Sequence, residues 1–379
     1  MRQETSLPTY TVSDSAELAR LVEEMCSDPA IGLDTESNSF FHYPEQLCLV
    51  QIATSRFVAI IDPFACSDMS PLEALLASPA VQKVLHGADY DVRCLDRAWG
   101  FRVAGLYDTN VAARFLGMTQ VGLAALAEAL VGVTLNKDKR LQRADWSRRP
   151  LGQEALDYAA SDVRHLTAIR DRLEEQLRLL GRTAWVAEEC ARLTEIRYVP
   201  PDQEKAFLGV KGSHGLSPRE LAVLRALFAF REREALRQGR PPFYVLGDSA
   251  LVHLARNPDA DLAQTPGLGS AGLQRFGRAL ERALQEGRDA PPYQAPRASW
   301  PRQARPTPQQ LARLQKLKVW RTALGEQLSM DPSLLWPSSS LETLALQPDA
   351  LEQEMASQKV RAWQRQEFGE SLRTLLAGL

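Results

Sequence analysis

The sequence predicts an α/β layered-sheet domain followed by two small all-α domains, and three observations carry that prediction. Near the N-terminus, apolar and β-branched runs follow one another, and helix-like and strand-like segments then alternate, which is the order of an α/β layered sheet. From Leu216 onward the apolar spacing is helical throughout. That helical segment then returns about 90 residues later, the mark of one structural unit used twice. A chain of 379 residues suits two or three domains. The divisions expected are 1–205 for the sheet domain, 213–290 for the first helical domain and 303–379 for a second, divergent one.

The elements follow in order. Leu18, Leu21, Val22 and Met25 share one face of a helix over 14–26, which Asp14 or Ser15 can cap and Asp28-Pro29 stops. A first strand runs through Leu33. Leu47–Ala53 and Phe57–Ile61, separated by Thr54-Ser55-Arg56, read as a hairpin. Past Pro63 the rhythm alternates: helix near Pro71–Ala77, strand Lys83–Leu85, helix about Ala88–Trp99, strand Leu106–Tyr107, then helices near Thr109–Leu116 and Leu123–Leu130. Three antiparallel strands followed by alternation resemble the ribonuclease H-like order. After Pro150 and Gly152 comes one long helix, with Leu156, Ala159, Val163, Leu166, Ile169 and Leu173 as its buried stripe.

Three acidic elements lie on this frame. In Ile31-Gly32-Leu33-Asp34-Thr35-Glu36, residues i and i+2 of a strand face the same way, so Asp34 and Glu36 project side by side. Two such charges repel, burial sharpens the repulsion, and a hard divalent cation relieves it. In His86-Gly87-Ala88-Asp89-Tyr90-Asp91, at the carboxyl end of a strand, either Asp89 or Asp91 is available. Asp89 is also explained by the helix dipole, and Asp91 sits beside apolar Val92 and Leu95. On the long helix, Tyr158 and Asp162 are four residues apart and therefore adjacent on its surface. Together these supply four carboxylates and a tyrosine, enough to hold two Mg²⁺ or Mn²⁺ ions. His86 reads as a turn-bonding histidine rather than a ligand, and Trp146 as a packing residue in the arginine-rich loop 140–149.

Composition excludes several classes. No apolar run approaches the length of a membrane span, the first residues lack a signal-peptide core, and the five scattered cysteines form neither a Cys-x-x-Cys site nor an evident disulfide framework. A cytoplasmic protein with reduced thiols is expected. The net charge of −2 divides unevenly: residues 1–205 carry 22 Lys+Arg against 30 Asp+Glu, and the remainder 23 against 17. An acidic front and a basic back suit a metal-dependent catalytic domain joined to modules that hold a polyanion.

At this point the sequence resembles the ribonuclease D family, in the tyrosine-bearing class of DEDD 3′–5′ exonucleases. The pieces that match are Leu33-Asp34-Thr35-Glu36, Leu49-Val50-Gln51-Ile52, His86-Gly87-Ala88-Asp89-Tyr90-Asp91, Tyr107-Asp108-Thr109, Leu141 through Leu151, and Tyr158-Ala159-Ala160-Ser161-Asp162. The resemblance selects Asp91 over Asp89. It implies Asp34, Glu36, Asp91 and Asp162 as metal ligands, Tyr158 as the residue orienting the attacking water, and RNA with a free 3′ end, such as a tRNA precursor, as substrate. A 3′–5′ DNA exonuclease with the same ligands, or an RNA-binding scaffold with a relic site, remains open.

In the back half, Leu216–Glu286, with Pro241-Pro242-Phe243-Tyr244-Val245-Leu246-Gly247-Asp248, resembles the HRDC domain. Gly209–Gly215 and Asp289–Pro308 read as linkers. Pro296–Gly325 contains no acid and seven basic residues, with Trp300 and Trp320 between them. Arg302, Arg305, Arg313 and Lys316 there, and Arg143, Arg148 and Arg149 in the earlier loop, are candidates for contact with a nucleic-acid backbone.

Overall fold

The computed structural model describes residues 7–295 and 306–379. The first part alternates through β1 (Thr9–Val12), α1 (Ser15–Met25), β2 (Ala30–Ser37), β3 (Leu47–Ala53), β4 (Val58–Ile61), α2 (Pro71–Ala77), β5 (Gln82–Leu85), α3 (Asp89–Trp99), β6 (Leu106–Asp108), α4 (Thr109–Phe115), α5 (Leu123–Val131), α6 (Lys139–Gln142), α7 (Gln153–Arg164), α8 (Leu166–Leu179) and α9 (Thr183–Thr194). Six strands form one sheet in the order β1-β4-β3-β2-β5-β6. The β2/β3 and β3/β4 pairs are antiparallel, and β1/β4, β2/β5 and β5/β6 are parallel. This mixed sheet is the ribonuclease H-like arrangement expected from the sequence.

Three local features depart from the sequence reading. Strand β1 has no apolar signature: only Val12 of its four residues is buried, because an edge strand leaves most of its side chains in water. Strand β2 runs past Leu33 to Ser37, its acidic end held in register by β3, with Asp34 opposite Gln51 and Glu36 opposite Leu49. The single long helix is two helices, with the chain turning at His165. α7 packs over β2, β3 and β4, whereas α8 covers β2 and β5 and meets α4 and α5. A straight helix would not follow both halves of a twisted sheet.

The helical part comprises α10 (Pro218–Gln238), α11 (Pro242–Val245), α12 (Asp248–Arg256) and α13 (Gly269–Asp289), then α14 (Pro308–Leu328), α15 (Pro332–Leu335), α16 (Ser338–Leu346), α17 (Leu351–Ala356) and α18 (Ala362–Ala377). The repeat is physical. α10, α11 and α12 start 90 residues before α14, α15 and α16 respectively. Ser217 and Thr307 each close a capping box on the first helix of their unit. Arg231 donates to the Leu246 carbonyl and Asp248, and Arg321 donates to the Trp336 carbonyl and the Ser338 hydroxyl at the same offset. The segment read as a linker, 209–215, is instead part of the first helical unit: Phe207 and Val210 are buried in its core, and the Lys211 N–H donates to Asp248.

The two helical units attach differently. The core of the second is continuous with that of the sheet domain. Trp185 of α9 stacks on Trp363 of α18 at 4.7 Å between ring centroids. Glu188 accepts the N–H groups of Ala362 and Trp363 at 2.7 and 3.0 Å, capping α18 from another domain. Arg182 donates to the carbonyls of Phe115 and Leu328. The first unit has its own core, and touches the sheet domain through Tyr43, whose N–H donates to the Gly239 carbonyl and whose hydroxyl donates to Glu232 at 2.6 Å.

One glycine fixes how close α7 lies to β2. A Cβ at Gly32 would stand 2.5 Å from the Val163 carbonyl oxygen, so any larger residue drives the helix off the strand. Gly32→Ala is expected to lose about 1–3 kcal/mol, the usual cost of overpacking, read as a lower denaturation midpoint; an unchanged midpoint would show that the contact relaxes freely.

Candidate active site

The alternation of β2 puts Asp34 and Glu36 on one face, and α7, pressed against that face at Gly32, brings Asp162 to them. Carboxylate oxygens of Asp34, Glu36 and Asp162 lie within 4.8 Å of one another. Asp91 stands beyond this trio. It is 6% exposed, and its Oδ1 accepts the Thr35 hydroxyl at 2.5 Å. Thr35 lies between the two acids of β2, so Asp91 is tied to the strand that carries them. The rival aspartate is elsewhere: Asp89 is solvent-facing and pairs with Arg93.

The position of Asp91 is set by a clamp that sequence reasoning missed. Asp108, at the end of β6, accepts the N–H groups of Gly87 at 3.0 Å and Ala88 at 2.8 Å, and also caps α4. It thereby holds the turn that launches α3. Gly87 has φ +78°, a left-handed conformation that favours glycine. His86 hydrogen-bonds the Thr109 hydroxyl at 2.9 Å, and burial lowers its pKa, as befits a turn residue.

The electrostatics are those of an uncompensated anionic pocket. Burial, then the neighbouring Asp162, raises the Asp34 carboxyl to about 7. Burial raises Asp162 to about 6, with the Tyr158 hydrogen bond pulling the other way. Glu36 and Asp91 are pushed well above the ordinary range, first by burial and then by the other acids. Among the described residues, no lysine or arginine is one of the groups that chiefly act on these four. An all-oxygen, anionic donor set of this kind fits hard divalent cations.

Tyr158 points into the same cluster. Burial first, then Asp162 and Glu36, raises the pKa of its phenol, so it keeps its proton at neutral pH. Trp146, 1% exposed, packs against its ring at 6.2 Å. The loop carrying Trp146 is fastened by Arg149, whose guanidinium donates to Asp62 at 2.5 and 2.8 Å and to the carbonyls of Cys48 and Trp146. Arg149 is therefore engaged in a structural tie. Arg313 is likewise committed, donating to the Ala345 carbonyl near the end of α16. Arg143, Arg148 and Lys316 are exposed, and Arg148 pairs with Asp145 at 3.3 Å. Arg302 and Arg305 lie outside the described residues.

Comparison with known proteins agrees with this geometry. Residues 9–178 match the family model described as 3′-5′ exonuclease, and residues 220–284 match the HRDC domain. Ribonuclease D of Granulibacter bethesdensis is 35% identical over 97% of this chain and 92% of its own, and ribonuclease D of Pseudomonas paraeruginosa is 32% identical over 95% and 96%. The chain belongs to the ribonuclease D family. The crystal structure of Escherichia coli RNase D, an exoribonuclease involved in structured RNA processing, superimposes with a TM-score of 0.73 at 26% identity, covering 98% of this chain and 99% of that one. The catalytic core of RRP6 from Trypanosoma brucei gives 0.66 at 27% identity, over 75% and 81%. As in the rest of the ribonuclease D family, the chemistry is hydrolytic 3′–5′ exonucleolysis with two divalent metal ions. No helix among the described residues is long and apolar enough to cross a membrane.

The raised carboxyls have a consequence for the metal-free protein. Folded, it keeps protons on Asp34 and Asp162 that the unfolded chain releases near pH 4. Between about pH 4 and 7 the folded state binds more protons, so stability falls as pH rises through that window. Asp34→Asn is expected to raise the metal-free thermal midpoint at pH 8, by about 2–4 °C, and to remove the rise that Mn²⁺ gives the native protein. A lower metal-free midpoint would contradict the repulsion.

Proposed function

We propose that this protein removes nucleotides one at a time from RNA 3′ ends, tRNA precursors among them, in the cytoplasm, releasing nucleoside 5′-monophosphates. The observation that carries this reading is the convergence of Asp34, Glu36 and Asp162, with Asp91 tied to the same strand by Thr35. In this reading Asp34, Glu36, Asp91 and Asp162 hold two Mg²⁺ or Mn²⁺ ions. When bound, such a pair lowers the pKa of water and neutralises charge on the attacking and leaving oxygens.

The chain's own residues do the rest. Tyr158 hydrogen-bonds Asp162 and keeps its proton. It is therefore no general base as it stands, and its free lone pairs serve to accept from, and so orient, the attacking water. Trp146 and the Arg149 tie limit where its ring can move. The four acids cannot tell ribose from deoxyribose; that choice rests on 2′-hydroxyl contacts and on the family.

With a 3′-labelled RNA and Mn²⁺, the native protein is expected to release labelled mononucleotide, and a matched DNA more slowly. Asp34→Ala and Asp162→Ala should reduce release to background while leaving RNA binding in place. Tyr158→Phe should slow turnover about ten- to a hundredfold, less than the ~10²–10⁴ of a group that transfers the reacting proton, because Tyr158 only orients the water. Faster digestion of DNA would reverse the substrate assignment, and no release from either would overturn the activity.

A further inference from the structure

The first helical unit carries an exposed aromatic pair that nothing in the catalytic reading uses. Phe243 and Tyr244 are each 55% exposed, on the short helix α11 that begins at Pro242. Their rings lie against one another at 4.6 Å between centroids. The Arg240 guanidinium sits over the Tyr244 ring at 5.6 Å. Apolar rings of this size normally seek cover; here two adjacent rings and a cation face water together.

Their location gives the patch a direction. Arg240 follows Gly239, and the Gly239 carbonyl accepts the N–H of Tyr43. Tyr43 lies on the loop that leaves β2 after Ser37, the residue following Glu36. That loop is closed by Asn38 and Gln46, the Gln46 N–H donating to the Asn38 side chain at 2.7 Å, and is braced by the Arg97–Glu45 pair. Tyr43 is seven steps along the chain from Glu36, which even fully extended reach no more than about 25 Å. Phe40 on the same loop is exposed as well. The aromatic pair is thus tied, through Gly239 and Tyr43, to the loop that continues the acidic strand, so a strand leaving the carboxylates on that side meets it.

We infer that Arg240, Phe243 and Tyr244 form a stacking platform for the bases of a single RNA strand upstream of its 3′ end; the inference rests on the exoribonuclease reading above. Stacking on aromatic faces tolerates any base, and an arginine adds cation–π attraction and charge for the backbone. A platform on a separate helical unit, tethered to the active-site loop, grips the part of the strand that is not being cut. It favours long single-stranded 3′ extensions over short ones without changing the chemistry at the cluster.

The test compares a tetranucleotide with an RNA of about twenty nucleotides, long enough to reach a second contact region, for the native protein, the double variant Phe243→Ala/Tyr244→Ala, and Tyr244→Trp, all with Mn²⁺. For the double variant, the KM for the long RNA is expected to rise about tenfold, as the loss of one or two stacked bases implies, with kcat unchanged. Its KM and kcat for the tetranucleotide should stay native, which also shows that the variant is folded. Tyr244→Trp should keep the native KM for the long RNA. An unchanged KM for the long RNA, or equal losses on both substrates, would overturn the platform. So would a double variant that keeps native RNA kinetics and loses only self-association or protein binding. If the native protein cleaved neither RNA, the exoribonuclease reading would fail and this inference with it; native cleavage with an indifferent double variant removes the platform alone.

Discussion

Four carboxylates share one buried corner of this molecule, and their mutual repulsion is the constraint around which the rest is arranged. On top of what burial does, Asp162 raises the proton affinity of Asp34, Asp34 raises that of Asp91, and Asp34, Asp162 and Asp91 together raise that of Glu36. In water they would move apart. They stay together because each is mounted on an element that other forces fix: Asp34 and Glu36 on a strand bonded on both sides, Asp162 on a helix pressed to that strand at Gly32, and Asp91 on a helix whose first turn Asp108 holds. The folding energy of an ordinary apolar core is thus used to hold a local arrangement that is unfavourable on its own, which is the general condition of a preorganised site. Divalent cations turn that arrangement from unfavourable to favourable.

The surrounding parts divide the work of holding and of reaching. The second helical unit behaves as an extension of the catalytic core. The Trp185–Trp363 stack, the Glu188 cap on α18 and the Arg182 bridge leave its hydrophobic interior continuous with that of the sheet domain. The first unit is a separately cored body tethered at Tyr43, on the loop between β2 and β3. Two copies of one helical design are therefore attached in different ways, one through a core shared with the sheet domain and the other through a tether.

Much of this was legible in the sequence, because it depends on local pattern. The i, i+2 placement of Asp34 and Glu36, the Tyr158/Asp162 helical pair and the 90-residue repeat follow from periodicity alone. Periodicity left Asp89 and Asp91 unresolved; the resemblance to a known family pointed to Asp91, and the Thr35 bond shows how it is held. What was hidden depends on partners far apart in the chain. Arg149 reads as one of several loop arginines until Asp62, 87 residues away, is seen to engage it. Asp108 stands in the sequence only within the matching segment Tyr107-Asp108-Thr109, with no sign that it fastens the turn of α3. Gly32 is only one member of the Ile31–Glu36 run in the sequence, and the Val163 carbonyl shows that it marks a close approach. The break at His165 and strand β1 were missed for the same reason: sheet twist and edge pairing set them, not local propensity.

The central claim is that these four acids together cage a pair of cations. Crystals soaked in Mn²⁺ and measured for anomalous scattering test it directly. The account predicts two peaks about 3.5–4 Å apart, both within coordination distance of the cluster, with Asp91 and Asp162 each touching one of them. A single peak, or peaks that leave Asp91 or Asp162 without contact, would contradict it.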